Sequence, residues 1–281
     1  MKILLHISLI FFLFTTNISE AQKGVQILND MISESESINK LQLYTIIKER
    51  FDGKLHLQKS FVKVQHKPFK IYYRQDYPDK GIEILYLEGK NNNKALIHPN
   101  SFPWINLNLA PLNNQLRVKQ HHTIFHPGFA YLISILKHMS KKHKDKFYEL
   151  IKYKGDQNFS NYQCHKLEVL DPDFKYVKYK VKADETIDDI ADKFFISSYM
   201  ILEINKNVDS YTDIKEGQVI IIPNSYAKKM ILLIDKIRNI PLVIKVYDDK
   251  GLYEQYEFSN IKLNVLFKKN EFSSSFEEYN F

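Results

Sequence analysis

The sequence predicts an α+β protein, an antiparallel β meander interrupted by one small strand–helix–helix–strand unit. Three observations carry this. Short stretches of period-two alternation, ended by polar or glycine-bearing turns, recur on both sides of residues 176–226. Inside residues 176–226 the apolar period switches twice to that of a helix. The 281-residue chain is 44% hydrophobic and 14% aromatic, enough to bury a sizeable core. Strands on both sides of the small unit are most economically read as one β-rich domain, residues 22–175 and 227–281, with residues 176–226 inserted, since exposed turns with close ends tolerate insertions.

In chain order, Met1-Lys2 precedes an apolar run from Ile3 to Phe14, and Ser19-Glu20-Ala21 offers small residues to a signal peptidase. This pattern is that of a secretory signal, residues 1–21, cleaved after Ala21. The run is too short to cross ~30 Å of hydrocarbon, and no cysteine near the cleavage point could carry a lipid. The expected mature protein is soluble and lies outside the cytoplasm, in the periplasm or on the cell envelope. Residues 23–38 read as a helix with Val25, Leu28, Met31 and Ile32 on one stripe. The period then becomes two. Leu43 to Glu49 leads to a turn at Asp52-Gly53; Val62 and Val64 alternate with Lys63; Phe69, Ile71 and Tyr73 alternate with Lys70, Tyr72 and Arg74. Ile82 to Leu87 and Ala95 to Ile97 continue the meander. Pro99, Pro103 and Pro111 mark a loop that holds the only tryptophan, Trp104. Phe129, Leu132, Ile133, Leu136 and Met139 recur at helical spacing, and the cations from Lys141 to Lys146 suit that helix's negative end. Strand patterns return at Tyr162–Val169, Met230–Ile234, Leu242–Val246, Leu252–Phe258 and Ile261–Leu266, with a hairpin turn at Asp248–Gly251.

The inserted unit opens with the alternating Tyr179-Lys-Val181-Lys and a polar turn, Ala183-Asp184-Glu185. Thr186 precedes Asp189 by three residues, the capping-box spacing. Ile187, Ile190, Ala191 and Phe194 form one helix face; Ser197-Ser198 opens a second helix through Ile201 and Ile204, and Asn205 ends it. Ile214-Lys-Glu-Gly217-Gln218 then turns into Val219–Ile222, which Pro223 stops. These residues, from Tyr179-x-Val181 through Glu185-Thr186-Ile187 to Ile214-x-x-Gly217-Gln218-x-Ile220-x-Ile222-Pro223, resemble a LysM module. The resemblance implies a βααβ fold that binds N-acetylglucosamine polymers, in bacteria usually peptidoglycan. It implicates Asp184, Glu185, Thr186 and Ile187 on one side of a groove and Ile214 on the other, gripping the sugar largely through backbone. Members usually carry Gly where this chain has Asp184, a residue that tolerates left-handed backbone better than most.

The flanking segments carry a second, weaker resemblance. Glu49-Arg50-Phe51-Asp52-Gly53, Pro68-Phe69-Lys70-Ile71-Tyr72, Gly81-x-Glu83-x-Leu85-Tyr86, His121-His122 and Tyr247-Asp248-x-x-Gly251-Leu252-x-Glu254-x-Tyr256-x-Phe258 are similar to a bacterial family of unknown function. That resemblance implies the LolA-like half-barrel: a curved antiparallel sheet with helices covering its concave face, which in carriers holds acyl chains. It carries no catalytic residue over.

Charge and chemistry narrow the function. The formal charge is +7, yet residues 176–226 hold six Lys against nine acids, so the body is the basic part. A basic body suits anionic envelope surfaces, and no basic helix interleaved with aromatics points to nucleic acid. His121, His122 and His126 form the nearest thing to a metal cluster, but in a strand the first two face opposite ways and no acidic partner at ligand spacing is evident, so no metal is expected. Asp188-Asp189 suits a helix first turn and Asp248-Asp249 a hairpin turn, rather than a glycosidase dyad. Cys164, the sole cysteine, reads as a small core residue with His165 on the opposite strand face. There is no Gly-x-Ser-x-Gly, phosphate loop or dinucleotide fingerprint. The sequence therefore predicts no enzyme and no cofactor. It predicts a secreted peptidoglycan binder, with a periplasmic lipid or lipoprotein carrier tethered to the wall as the alternative; the inserted module is expected to fold independently of the body.

Overall fold

A computed structural model describes residues 20–102 and 104–281. The apolar run expected to be a secretory signal lies outside the described residues. Helix α1 (Glu20–Ser37) leads into strands β1 (Lys40–Phe51), β2 (Lys54–Gln65), β3 (Lys70–Tyr77), β4 (Glu83–Leu87), β5 (Ala95–His98) and β6 (Leu107–Leu109). Helix α2 (Ala130–His143) and strands β7 (Ile151–Phe159) and β8 (Tyr162–Leu170) follow. The inserted unit is β9 (Tyr176–Lys180), α3 (Ile187–Phe194), α4 (Ser198–Ile204) and β10 (Val219–Pro223). Strands β11 (Lys229–Asp235), β12 (Pro241–Asp248) and β13 (Gly251–Leu263) complete the chain order.

Among the described residues the body is one open, curved antiparallel sheet of eleven strands, ordered β6-β5-β4-β3-β2-β1-β13-β12-β11-β8-β7. Register shifts at Gln42/Tyr44, Val246/Tyr247 and Tyr153/Asp156 bend it, as bulges do. Helices α1 and α2 cover one face. Leu28 and Met31 of α1 and Ile133, Leu136 and Met139 of α2 bury against Leu41, Leu43, Val62, Val64, Leu167, Met230, Leu232, Ile244 and Val246. Close approach is built in: a Cβ on Gly24 would stand 3.3 Å from the Tyr153 backbone nitrogen, and one on Gly128 would stand 3.0 Å from the Leu41 side chain. The covered face is thus filled by side chains.

Two strands escaped the sequence reading. Strand β7 is a polar, half-exposed edge, and β6 has three residues inside the proline-marked loop. The stretches Leu252–Phe258 and Ile261–Leu266, read as separate strands, are one strand, β13, which ends at Leu263 and bends where Asn260 takes φ 50°. Burial also departs from simple alternation. Lys63, Tyr72 and Glu83 are buried on the face opposite the helices because the C-terminal tail folds over it. Tyr279 stacks on Tyr72 at 3.7 Å, Glu271 meets the Lys63 ammonium at 2.7 Å, and the Glu83 carboxylate accepts from the Asn280 N–H at 3.1 Å.

The inserted unit departs from and returns to neighbouring strands, β8 and β11. Its ends are clamped together: Asn224 N–H donates to the Lys175 carbonyl and the Asn224 side-chain oxygen accepts from Lys175 N–H, each at 2.9 Å. Among the described residues no helix is long and apolar enough to cross a membrane.

Candidate functional site

The unit is built as its sequence dictates. Thr186 caps α3 by accepting from Asp189 N–H at 3.2 Å, and the Asp189 carboxylate accepts from Thr186 N–H at 2.8 Å. Phe195, in left-handed backbone at φ 52°, ends α3, and the Ser197 hydroxyl caps α4 through Met200 N–H. Asn205 ties the end of α4 to β10: its side-chain oxygen accepts from Ile221 N–H at 2.8 Å, and its amide donates to the Ile201 and Ile221 carbonyls at 2.7 Å each. Strand β9 pairs antiparallel with β10. Val181, Ile187, Ile190, Ala191, Ile196, Ile201, Val208, Ile214, Ile220 and Ile222 close a core of their own.

The five residues expected at the glycan groove are placed unevenly. Asp184 is exposed and takes φ 58°, the left-handed turn that glycine would otherwise serve. The Glu185 carboxylate accepts from Tyr179 OH at 2.8 Å, from Lys182 N–H at 2.9 Å and from the Lys193 ammonium at 3.0 Å. Burial alone would raise the Glu185 carboxyl; these donors outweigh it and hold the group below its usual range. Thr186 is engaged as the cap. Ile187 and Ile214 point their side chains into the unit's core, so only their backbone is offered to a ligand. The two loops are brought together by Ile187 N–H donating to the Tyr211 carbonyl at 2.9 Å.

The unit is locked to the body. Buried Arg117, from the segment before α2, lies 3.2 Å over the Tyr211 ring and donates to Asp188 at 2.6 Å and to the Ser198 hydroxyl at 2.8 Å. Met200 of α4 sits within the body's core. Tyr199 stacks on His121 at 4.6 Å and meets Phe51 at 4.5 Å, and the Ser197 hydroxyl hydrogen-bonds Tyr253 OH at 2.8 Å. On the other side Phe195 stacks on His138 at 4.6 Å. This geometry argues against the independent folding expected from the sequence, because residues of α4 complete the body's interior.

Beneath Tyr199 lies a buried acid–histidine network. No acidic partner for His121 and His122 is evident in the sequence, but the fold brings Glu254 to both. Glu49 of β1 and Glu254 of β13 are direct cross-strand partners, and the His121-His122 segment crosses over them as a loop. His121 Nδ1 stands 2.8 Å from Glu254 and its Nε2 2.9 Å from the Arg50 carbonyl, so each ring nitrogen faces an oxygen acceptor. His121 N–H and Tyr256 OH donate to Glu49 at 3.1 and 2.8 Å, and Tyr226 OH donates to Glu254 at 2.8 Å. Burial would lower His122, but Glu254, 3.6 Å away, outweighs it and raises the imidazole. The same pairing, mainly with His122 and then His121, holds the buried Glu254 carboxyl well below its usual range. Burial, with His122 and Arg117 nearby, pushes His126 down to about 3; it stacks on Tyr131 at 3.8 Å.

Glu49, His121 and Glu254 bring ligand-type atoms within 4.8 Å of one another. Each carboxylate already accepts from tyrosine and histidine donors, so a cation would have to displace that network. In this structure these contacts tie β1, β13 and the His121-His122 loop together beneath the docked unit. Asp188 is taken by Arg117, and Asp248 forms a buried ion pair with Arg50, so both acid pairs from the sequence have structural roles. Cys164 is buried in β8, and His165, on the other strand face, contacts Asp156 at 3.1 Å.

Two clefts flank the junction. One, of about 290 Å³, lies between His126, Tyr131 and Phe125 of the body and Asp192, Ile196 and Ser198 of the unit. The other, of about 480 Å³, has a floor of Ile38, Ala130, Ile133 and Phe195 and a rim with Lys67 and Lys141.

An open antiparallel sheet capped by two helices, carrying a βααβ unit clamped at neighbouring strands, defines an α+β scaffold with a built-in LysM-like unit. The chain belongs to the family described as protein of unknown function (DUF1571), whose model matches residues 40–199. The model of the LysM domain matches residues 179–223, so the two overlap within the unit's first half. No curated protein matches the chain at a significant level. Similar solved structures include LprF from Mycobacterium bovis, at 9% identity and TM-score 0.42, covering 88% of this chain and 95% of that one. The MucA/MucB complex of Pseudomonas aeruginosa matches at 12% identity and TM-score 0.40 over 89% of this chain, which spans 60% of the other's length. A LolA superfamily protein from Nitrosomonas europaea matches at 10% identity and TM-score 0.33, over 88% and 96% of the two chains.

Proposed function

We propose that this chain is a secreted, non-catalytic cell-envelope protein that binds peptidoglycan, or a related N-acetylglucosamine glycan, through residues 176–226. The observation that carries the reading is the LysM match over residues 179–223, whose two groove-forming loops meet at the Ile187–Tyr211 backbone hydrogen bond. Asp184, Glu185, Thr186, Ile187 and Ile214 then line the groove, the last two by backbone alone, and residues 22–175 and 227–281 act as the body that fixes the groove's orientation.

Co-sedimentation with purified sacculi tests this with point variants. Asp184→Val places a β-branched residue at φ 58° and is expected to weaken co-sedimentation; Asp184→Gly restores the usual LysM turn and is expected to preserve or strengthen it. Equal binding by both variants would remove these loops from the site.

The carrier reading keeps one supporting observation, the cleft of about 480 Å³ with an apolar floor and a lysine rim, since the covered face of the sheet is itself filled. Saturable binding of an environment-sensitive fluorescent fatty acid, abolished by Ile133→Asp in a folded variant, would favour it. No saturable binding would leave the wall binder alone.

A further inference from the structure

One end of the sheet, where the β1–β2, β3–β4 and β5–β6 connections gather, displays apolar side chains left exposed among the described residues. Phe102, Trp104 and Ile105 of the β5–β6 connection are 84%, 64% and 59% exposed. Val118, Tyr77 and Leu55 at the same end are also exposed. Antiparallel pairing and loop contacts assemble them: Lys59 faces Tyr77 across β2 and β3, the Asn100 amide donates to the Lys80 carbonyl at 3.5 Å, and the Gln58 side chain donates to the Lys119 carbonyl. Six adjacent strands at about 4.8 Å spacing make this a front roughly 24 Å wide.

The front is cationic as well as apolar. Lys54, Lys59, Lys80 and Lys119 are all exposed at this end. Of the acids there, Asp76 is paired with Arg74 at 3.1 Å and Asp52 lies 3.9 Å from Lys206, leaving Asp79 among them. Trp104 has a further peculiarity. Its φ is 59°, a backbone region that bulky side chains rarely occupy, and its N–H closes a turn onto the Ser101 carbonyl at 3.1 Å. A strained turn that holds an indole in solvent is the kind of backbone cost that accompanies a binding surface.

We propose that this end of the sheet docks on an anionic lipid surface, with Phe102, Trp104 and Ile105 entering the headgroup–acyl boundary and the lysines facing lipid phosphates. Several large apolar side chains exposed at one sheet end, three of them within four residues, mark an interaction surface. Tryptophan and tyrosine favour the membrane–water boundary, lysine stems reach from it to water, and each lysine near the surface adds attraction to anionic lipid. This inference does not rest on glycan binding, because the apolar side chains and lysines it uses all belong to the body.

The test uses the chain's only tryptophan. Trp104 emission is recorded on the full chain with vesicles of phosphatidylcholine alone and of equimolar phosphatidylcholine and phosphatidylglycerol. The expected result is a blue shift on the anionic vesicles, quenched by brominated lipid and weakened by salt. Phe102→Ser and Ile105→Ser, checked for native thermal melts, are each expected to lower the partition coefficient about tenfold. Because the readout is local to Trp104, binding through residues 3–14 does not mimic it. Unchanged emission with vesicles, equal shifts on neutral and anionic vesicles, insensitivity to both substitutions, or a blue shift that follows protein concentration without lipid would overturn the proposal, the last in favour of self-association.

Discussion

The core of the inserted unit and the junction that fixes it to the body are built from different kinds of contact. The unit's core closes within 45 residues matched to one model, from caps and turns adjacent in sequence. The junction joins Arg117 to Asp188 and Ser198, His121 to Tyr199 and Ser197 to Tyr253, across 56 to 81 positions. The first kind of contact leaves a periodic signature in the chain; the second is written only in three dimensions. A unit recognisable as a module in sequence is therefore also packed tightly against the body in this structure.

The largest expected effect comes from removing the unit. Replacing residues 177–225 by a short bridge strips Met200 and Tyr199 from the body and leaves Arg117 without its acid and its aromatic face. We expect the body's melting temperature to fall by roughly 10 °C or more in calorimetry. An unchanged melt would make the unit the independent module the sequence suggested. Next comes Arg117→Ala, which strands half-buried Asp188 and uncovers Tyr211. It should cost about 3 kcal/mol in urea unfolding while unit and body still unfold in one transition. Two transitions would show that the coupling is weaker than the contacts imply.

Acid should separate the two regions by a smaller amount. His126 has a folded value of about 3 against about 6.5 unfolded, so the unfolded chain takes up the proton first and stability is lost as pH falls below about 6.5. The loss should be on the order of 2 kcal/mol by pH 5, and His126→Leu should flatten that part of the profile. Raised His122 acts the other way: its contribution is full below about 6.5 and is lost as pH rises through its folded value. Lowered Glu254 contributes above about 4.5 and loses that contribution on acidification. The smallest effect is expected inside the unit, where Thr186→Ala removes only a cap and should cost ~1 kcal/mol.

Much of the fold was legible because its signals are local. The capping box at Thr186 and Asp189, the left-handed Asp184 turn, the α2 stripe and most strands follow directly from residue types at short spacing. Edge strand β7 was hidden by its polar, half-exposed pattern, and Lys63 and Tyr72 read as solvent-facing because nothing local announces that Glu271 and Tyr279 cover them. Glu49 and Glu254 stood in motifs quoted for the body, but their meeting with His121 depends on strand register and a loop crossing. The signal for them in the sequence is an acid at an apolar position of the alternation, Glu49 after Ile47 and Glu254 between Leu252 and Tyr256.

Glycan recognition is proposed to reside in the two loops of a unit fixed to the body. Titration of the isotope-labelled full chain with chitooligosaccharide, followed by amide NMR shifts, tests it most directly. Saturable shifts are predicted at Asp184 to Ile187 and around Tyr211 to Ile214, with smaller ones at Arg117 through its contact with Tyr211. Shifts confined to the body's sheet, or no saturable shifts, would contradict it.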